Sequence, residues 1–489
     1  MSFINNYFIY ILTLFISLEI KECAVYLPFK ISYSFENKKD FNSSETLNYW
    51  KSPKINSELM IGSPPQKICV SFVSNIFELN LFQNNCDSEG SSYNKEVSES
   101  YNFLQTINYV YNKILNCSII NETLYLYTDQ EQKNKLVFEG MNIIYSDNKE
   151  EEFKPDKDKQ TEYEYHPNTC LNIGFLAQKS IGYSVYYDLN FVSQLKNYQK
   201  NKNLFATSYD WTFKFTSEEE GYLIIGEKPH EFDKNNYYEE QFLTAGSKNN
   251  RYTHEWFLEV TSIYYTGIRE NNNSAYNSSF YSDLSIKLDI NNGLIEGTKR
   301  YEENIREDFF NKLIEGNQCF FDQIKEYRFY YCNKDSLNYI QKYFPTSKFC
   351  FKQHDMCFDF TYEDLFKEKN GKLLFLIYFN DNNSYSRYTI GLILLRKYLI
   401  TFNYDTKLIG FYNKDIPINS TGTETENGNN KSYGFLLYFI VIVLFIIFLS
   451  IGFFLGKKIY ENTRKKRANE LLDDDYEYKP GAIDNKNIN

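Results

Sequence analysis

One pattern occurs twice in this chain. An apolar strand leads to a short tip able to carry an acid, a second apolar stretch follows, and much later a strand ends apolar-Gly-apolar. The first copy runs through Val70–Leu81 and returns at Asn172–Phe175; the second runs through Ser285–Ile295 and returns at Thr389–Leu392. At 489 residues the chain is long enough for two domains and a large core, so the two copies fit two lobes. Around them the sequence reads as strand. Alternating apolar runs at Ile68–Phe72, Thr123–Tyr127, Trp211–Phe215, Tyr222–Ile225 and Lys397–Phe402 are separated by turn residues. The 45 Tyr and 42 Phe suit strands as well. The expectation is an all-β body with few helices, the best candidates being Asn304–Glu315 and Ser336–Tyr343.

The two ends are read separately. Tyr7–Leu18 is an apolar run of signal-peptide length, with an N-terminal anchor as the alternative, and residues 1–23 are assigned to a signal peptide. Gly434–Gly456 carries no charge and is long enough for a hydrocarbon core of about 30 Å, which predicts a C-terminal transmembrane helix. Lys457, Lys458, Arg464, Lys465, Lys466 and Arg467 follow it, which places the tail, residues 457–489, in the cytoplasm. The expected protein is therefore a single-pass type I membrane protein of the secretory or endolysosomal pathway or the cell surface. Its lobes span 55–210 and 211–416, and a polar stalk spans 417–433. Ser146–Pro167 reads as a charged surface insertion, and the tail's ELLDDDYEYKP as an acidic, solvated segment or a sorting signal.

Glycosylation sequons at Asn42, Asn116, Asn121, Asn272, Asn277, Asn382, Asn419 and Asn430 all precede the apolar span. Of nine cysteines, Cys23 lies near the expected cleavage site. Cys319, Cys332, Cys350 and Cys357 read as two disulfides with three possible connectivities, and Cys86 with Cys117 as a further pair. A zinc site lacks its spacing: there is no CxxC pair, and His166, His230, His254 and His354 are scattered. Neither a metal nor a cofactor is expected. The net charge of -11 without a basic stripe argues against a nucleic-acid partner. With four scattered histidines and no GxSxG elbow, the sequence offers no serine or cysteine nucleophile with its base, and neither a phosphate loop nor an HExxH helix is present.

The motifs resemble those of the pepsin-like aspartic proteases, whose two lobes each supply one aspartate from a DTG tip. Ile61-Gly62-Ser63-Pro64-Pro65-Gln66 is similar to that family's opening hairpin, and Asn172-Ile173-Gly174-Phe175 to its first ILGL segment. Gly221–Gly226 resembles the GxLxxG strand at the lobe junction, and Trp256–Val260 the W-x-V strand. Ile390–Tyr398 through Leu408–Phe411 is similar to the closing segment. The resemblance implies a bilobal pepsin-like fold, with a cleft that takes a peptide or protein segment.

On the family pattern, "VSFVSNIFELNL" puts Val73 where the first aspartate belongs, followed by Ser74 and Asn75. "SIKLDINNGLIEG" keeps the second acid as Asp289, with Ile290 and Asn291 replacing Thr and Gly. In such enzymes two carboxylates about 3 Å apart share a proton, so that one activates water while the other protonates the carbonyl. A valine does neither. The Ser74 hydroxyl is expected to bond across to the opposite strand, a bond Ile290 cannot return. Asn291 suits the tip because Asn accepts left-handed angles. Ile76 and Asn292 stand where supporting hydroxyls would be, and Tyr111 falls at the flap tyrosine. Asp87 is the nearest acid to the empty position, but it lies beyond the next strand. Three functions follow: a catalytically impaired protein that binds a peptide in its cleft, an aspartic-type endopeptidase with non-standard residues, or a glycosylated structural protein. The short span between residue 23 and Ile55, where VYLPFKISYSF reads as a strand of the mature protein, favours the first.

Overall fold

Burial along the strand Lys54–Ile61 alternates strictly, with Ile55, Ser57, Leu59 and Ile61 turned inward. It pairs antiparallel with Gln66–Val73, Ile55 opposite Phe72 and Ile61 opposite Gln66. The hairpin between them needs Gly62, whose φ is +86°. The computed structural model describes residues 24–33, 43–74, 79–82, 93–107, 117–146, 171–175, 188–201, 209–247, 255–268, 275–351, 356–381, 387–417, 450 and 457–465. Residues up to Pro417 form one compact unit and those from Ile418 a second.

The first unit is built on two sheets, one of thirteen strands and one of ten. The larger takes strands from both halves of the chain. Val25–Ser32 lies in it between Glu220–Ile225 and Lys54–Ile61, so VYLPFKIS is an integral strand. Asp210–Phe215 joins Glu220–Ile225 to Thr401–Asn403, and at that join Trp211 stacks on Phe402 with ring centres 4.0 Å apart.

The duplicated pattern has a duplicated topology. In the larger sheet Gln66–Val73 runs parallel to Leu171–Gly174, which pairs antiparallel with Leu79–Phe82, itself parallel to Lys135–Ser146. In the smaller sheet Ala275–Leu288 runs parallel to Arg387–Ile390, which pairs antiparallel with Ile295–Gly297, itself parallel to Lys372–Asn380. Lys372–Asn380 reads KLLFLIYFN and is buried from Leu373 to Tyr378 and on to Phe379 without alternation, as a strand covered on both faces must be. Cys319–Cys332 and Cys350–Cys357 each link directly opposed residues of neighbouring strands in this sheet.

Several expectations are corrected. Among the described residues no helix is long and apolar enough to cross a membrane. The structure therefore does not support the transmembrane helix expected over Gly434–Gly456 or the single-pass type I location built on it. All of that segment except Ser450 lies outside the described residues, as do residues 1–23 and the stalk from Ile418 to Tyr433, while 457–465 are helical. Lys397–Phe402 is not one strand: Leu392–Lys397 is a helix and the strand is Thr401–Asn403. Leu392 to Leu395 are all buried, and a short apolar run enclosed on every side has no period by which strand and helix differ. The helices Ser43–Lys51 and Phe191–Asn201 are not among those expected, the first being short and burying only Leu47 and Trp50 deeply among its large apolar residues. The expected helix at Asn304–Glu315 begins at Lys299, capped by the Thr298 hydroxyl, and passes through a π-helical turn at Arg306–Phe310. Leu337–Tyr343 accounts for the other.

Candidate functional site

The two tips occupy equivalent places in their sheets. Val73 is register partner to Gly174. Asp289 follows Leu288, the partner of Ile390, and its N–H donates to the Ile390 carbonyl, so Asp289 stands beside Gly391. A Cβ on Gly391 would lie 2.0 Å from the Asp289 carbonyl oxygen and 2.2 Å from that of Asn292, so only glycine fits. Val73 is thus the counterpart of Asp289 in strand register as well as in motif. It is 5% exposed, and its carbonyl accepts from the Phe175 N–H at 2.9 Å.

The two tips meet through polar groups. The Ser74 hydroxyl donates to one oxygen of the Asp289 carboxylate, and the Asn291 N–H donates to the same oxygen at 3.1 Å. The Asn291 side chain reaches back across: its carbonyl accepts from the Ser74 N–H at 2.8 Å and its amide donates to the Phe72 carbonyl at 2.8 Å. One amide therefore satisfies a backbone donor and a backbone acceptor of the opposite tip. This differs from expectation in two ways. Ser74 bonds the acid itself, and Asn291 is not among the residues with positive φ, so its side chain, not its backbone tolerance, makes it useful. Asn292 is occupied elsewhere, accepting from the Leu294 N–H at 3.1 Å.

The other Asp289 oxygen faces a cation. Lys287, on the strand Ala275–Leu288 that leads into Asp289, lies two residues earlier and so toward the same face. Its Nζ is 3.7 Å from Asp289 and 2.5 Å from Glu255, whose other oxygen is 3.1 Å from Arg387. Lys287 is 12% and Asp289 20% exposed at the side chain. Burial by itself lowers the Lys287 pKa, but Asp289 and Glu255 outweigh it and hold the ammonium above its ordinary value. Hydroxyl, backbone N–H and ammonium thus supply Asp289 with donors and positive charge, while Val73, its register counterpart on the first tip, carries two methyl groups. Lys287 and the cross-tip role of Asn291 escape sequence reasoning. For Lys287 the period-two spacing from Asp289 was available as a signal; for the role of Asn291 there was none, because its partners lie more than two hundred positions away.

Further contacts brace the region. The Trp256 indole N–H donates to the Phe175 carbonyl at 2.7 Å, tying the first residue of one sheet's long strand to the segment beside Val73. The Gly293 N–H donates to the Lys51 carbonyl at 3.3 Å, which brings the end of the Ser43–Lys51 helix against the second tip. Asn75, Ile76, Asp87 and Tyr111 lie outside the described residues.

The remaining candidate residues are placed as follows. Cys319, Cys332, Cys350 and Cys357 form the two bridges described. Cys117 is a buried free thiol, so the Cys86–Cys117 pair is not formed; Cys86 itself lies outside the described residues. Asn121 sits on the strand Cys117–Tyr127, where its amide donates to Asn142 and to the Gly140 carbonyl, and Asn277 is on the strand Ala275–Leu288. Asn42, Asn116, Asn272, Asn382, Asn419 and Asn430 lie outside the described residues. Among the described residues no group of His, Cys, Asp and Glu is arranged to hold a metal ion.

No family model matches the chain, and no curated protein matches its sequence. Among solved structures it is similar to the crystal structure of Basic 7S globulin from soybean, at 14% identity and a TM-score of 0.50, over 80% of this chain and 94% of that one. The likeness shows a pepsin-like fold and leaves the chemistry of the tips to be argued from their own residues.

Proposed function

We propose that this chain is a catalytically silent protein of pepsin-like fold that holds a peptide or protein segment between its lobes without cutting it. The observation that carries the reading is the pair of tips: equivalent in register, one bearing Val73 and the other an Asp289 already engaged by Ser74, Asn291 and Lys287. General acid or base assistance contributes about 10²–10⁴-fold, and the two aspartates of the family act as a unit, so loss of one leaves hydrolysis near background. The two disulfides support an oxidising, secretory setting.

The experiment is a peptide-library assay at acid pH that scores binding and cleavage separately, run on the natural protein and on Val73→Asp and Asp289→Asn. The expected result is a retained, intact peptide for the natural protein and for Asp289→Asn. Cleavage by the natural protein that Asp289→Asn abolishes would overturn the reading. It would favour an endopeptidase instead, for which the one supporting observation is the Ser74 hydroxyl poised on Asp289.

A further inference from the structure

The strand Asp210–Phe215, the turn after the helix Pro229–Phe232 and the helix Leu392–Lys397 line an open cavity of about 210 Å³. Lys214, Arg396, Lys397 and Lys414 line it, with Asp233 as the one acid, in a chain whose net charge is -11. Two of these cations are neutralised locally: Lys214 lies 3.3 Å from Asp233, and Lys397 lies 2.5 Å from Asp364. Arg396 and Lys414 make no ion pair with a described residue. Glu218, the acid whose charge is felt by Arg396, is bonded to Lys367. Arg396 donates to the Tyr33 hydroxyl at 3.0 Å and lies over the Phe215 ring.

We propose that this cavity binds a phosphate-type dianion, with Arg396 and Lys414 as its counter-charges. Two cations remain after the local pairs are formed, which matches a doubly charged ligand. A guanidinium presents several donors in a plane suited to oxyanions, and Lys414 adds a mobile point charge. The volume is below the roughly 300–1,000 Å³ of sites for drug-sized ligands, so the occupant is a small oxyanion or the phosphoryl head of an ester.

Calorimetric titration of the full chain tests this, with inorganic phosphate and glycerol phosphate as ligands and chloride at equal ionic strength as control. Saturable phosphate binding is expected. Arg396→Met should weaken it at least about tenfold and Lys414→Met, an exposed position, severalfold, while Asp233→Asn, which removes the one lining acid, should strengthen it. Binding of inorganic phosphate alone identifies the free ion, and equal binding of glycerol phosphate identifies an ester; either supports the site. Should Arg396→Met fail to fold, the other two variants decide. Phosphate heats no larger than those of chloride, or an affinity unmoved by both Lys414→Met and Asp233→Asn, would overturn the proposal.

Discussion

The first tip and the second tip share a backbone and differ in chemistry. Each ends a strand that runs parallel to an apolar-Gly return, so the main chain delivers Val73 and Asp289 to corresponding places. At the first tip the strand ends in a methyl-bearing side chain followed by a hydroxyl. At the second, an acid, an amide and a lysine are gathered within a few residues. All the cross-tip hydrogen bonds described above have one end on Asp289 or Asn291. The two sheets thus present their tips in matching register through backbone pairing, tightened at the second tip by the close approach of Gly391, while the side chains carried there differ.

The severest way to break the comparison is to remove the shared backbone device. Gly391→Ala places a methyl within 2.2 Å of two carbonyl oxygens of the second tip, neither of which can swing away. We expect a loss of about 4 kcal/mol or more in urea unfolding, or no folded protein.

Next in size is the charge at the second tip, which has no counterpart at the first. Lys287→Met leaves Asp289 without its cation and Glu255 with Arg387 alone, for an expected cost of about 3 kcal/mol. The pH dependence sharpens this. The folded state holds the Lys287 proton more tightly than the unfolded chain, so its contribution is fully present below the unfolded pKa of about 10.4 and is lost as pH rises through the higher folded value. Unfolding free energy should show an alkaline decline above about pH 10.4 that is smaller in Lys287→Met. A decline of the same size in the variant would show that Lys287 is not responsible.

The smallest expected effects separate the two tips' polar ends. Asn291→Ala strips partners from the Ser74 N–H and the Phe72 carbonyl and should cost about 2 kcal/mol. Ser74→Ala removes one hydroxyl bond and should cost about 1 kcal/mol. Equal costs would mean that the clamp is shared and that the asymmetry argued above is wrong.

Much of the fold was legible beforehand. The repeated pattern, the strands at Ile68–Phe72, Thr123–Tyr127, Trp211–Phe215 and Tyr222–Ile225, and the helix ending at Tyr343 were each signalled by local spacing of apolar residues. The helix Leu392–Lys397 was hidden because its first four residues are apolar and buried together, which erases the period that identifies a helix. At Gly434–Gly456 hydropathy alone predicted a membrane helix; no helix able to cross a membrane is found among the described residues, and that span, Ser450 apart, lies outside them.

By itself the sequence determined that the first tip carries Val73 where the second carries Asp289. Val73 carries no ionisable group in any conformation, and its motif position follows from the residues around it. The tertiary structure decided what surrounds the acid that remains. Asn291 reaches Phe72 and Ser74, and Lys287 reaches Glu255, only because strands distant in the chain are held in one register. Hydrogen bonds and ion pairs act over a few ångströms, so such partners are set by the pairing of strands and not by their separation in sequence.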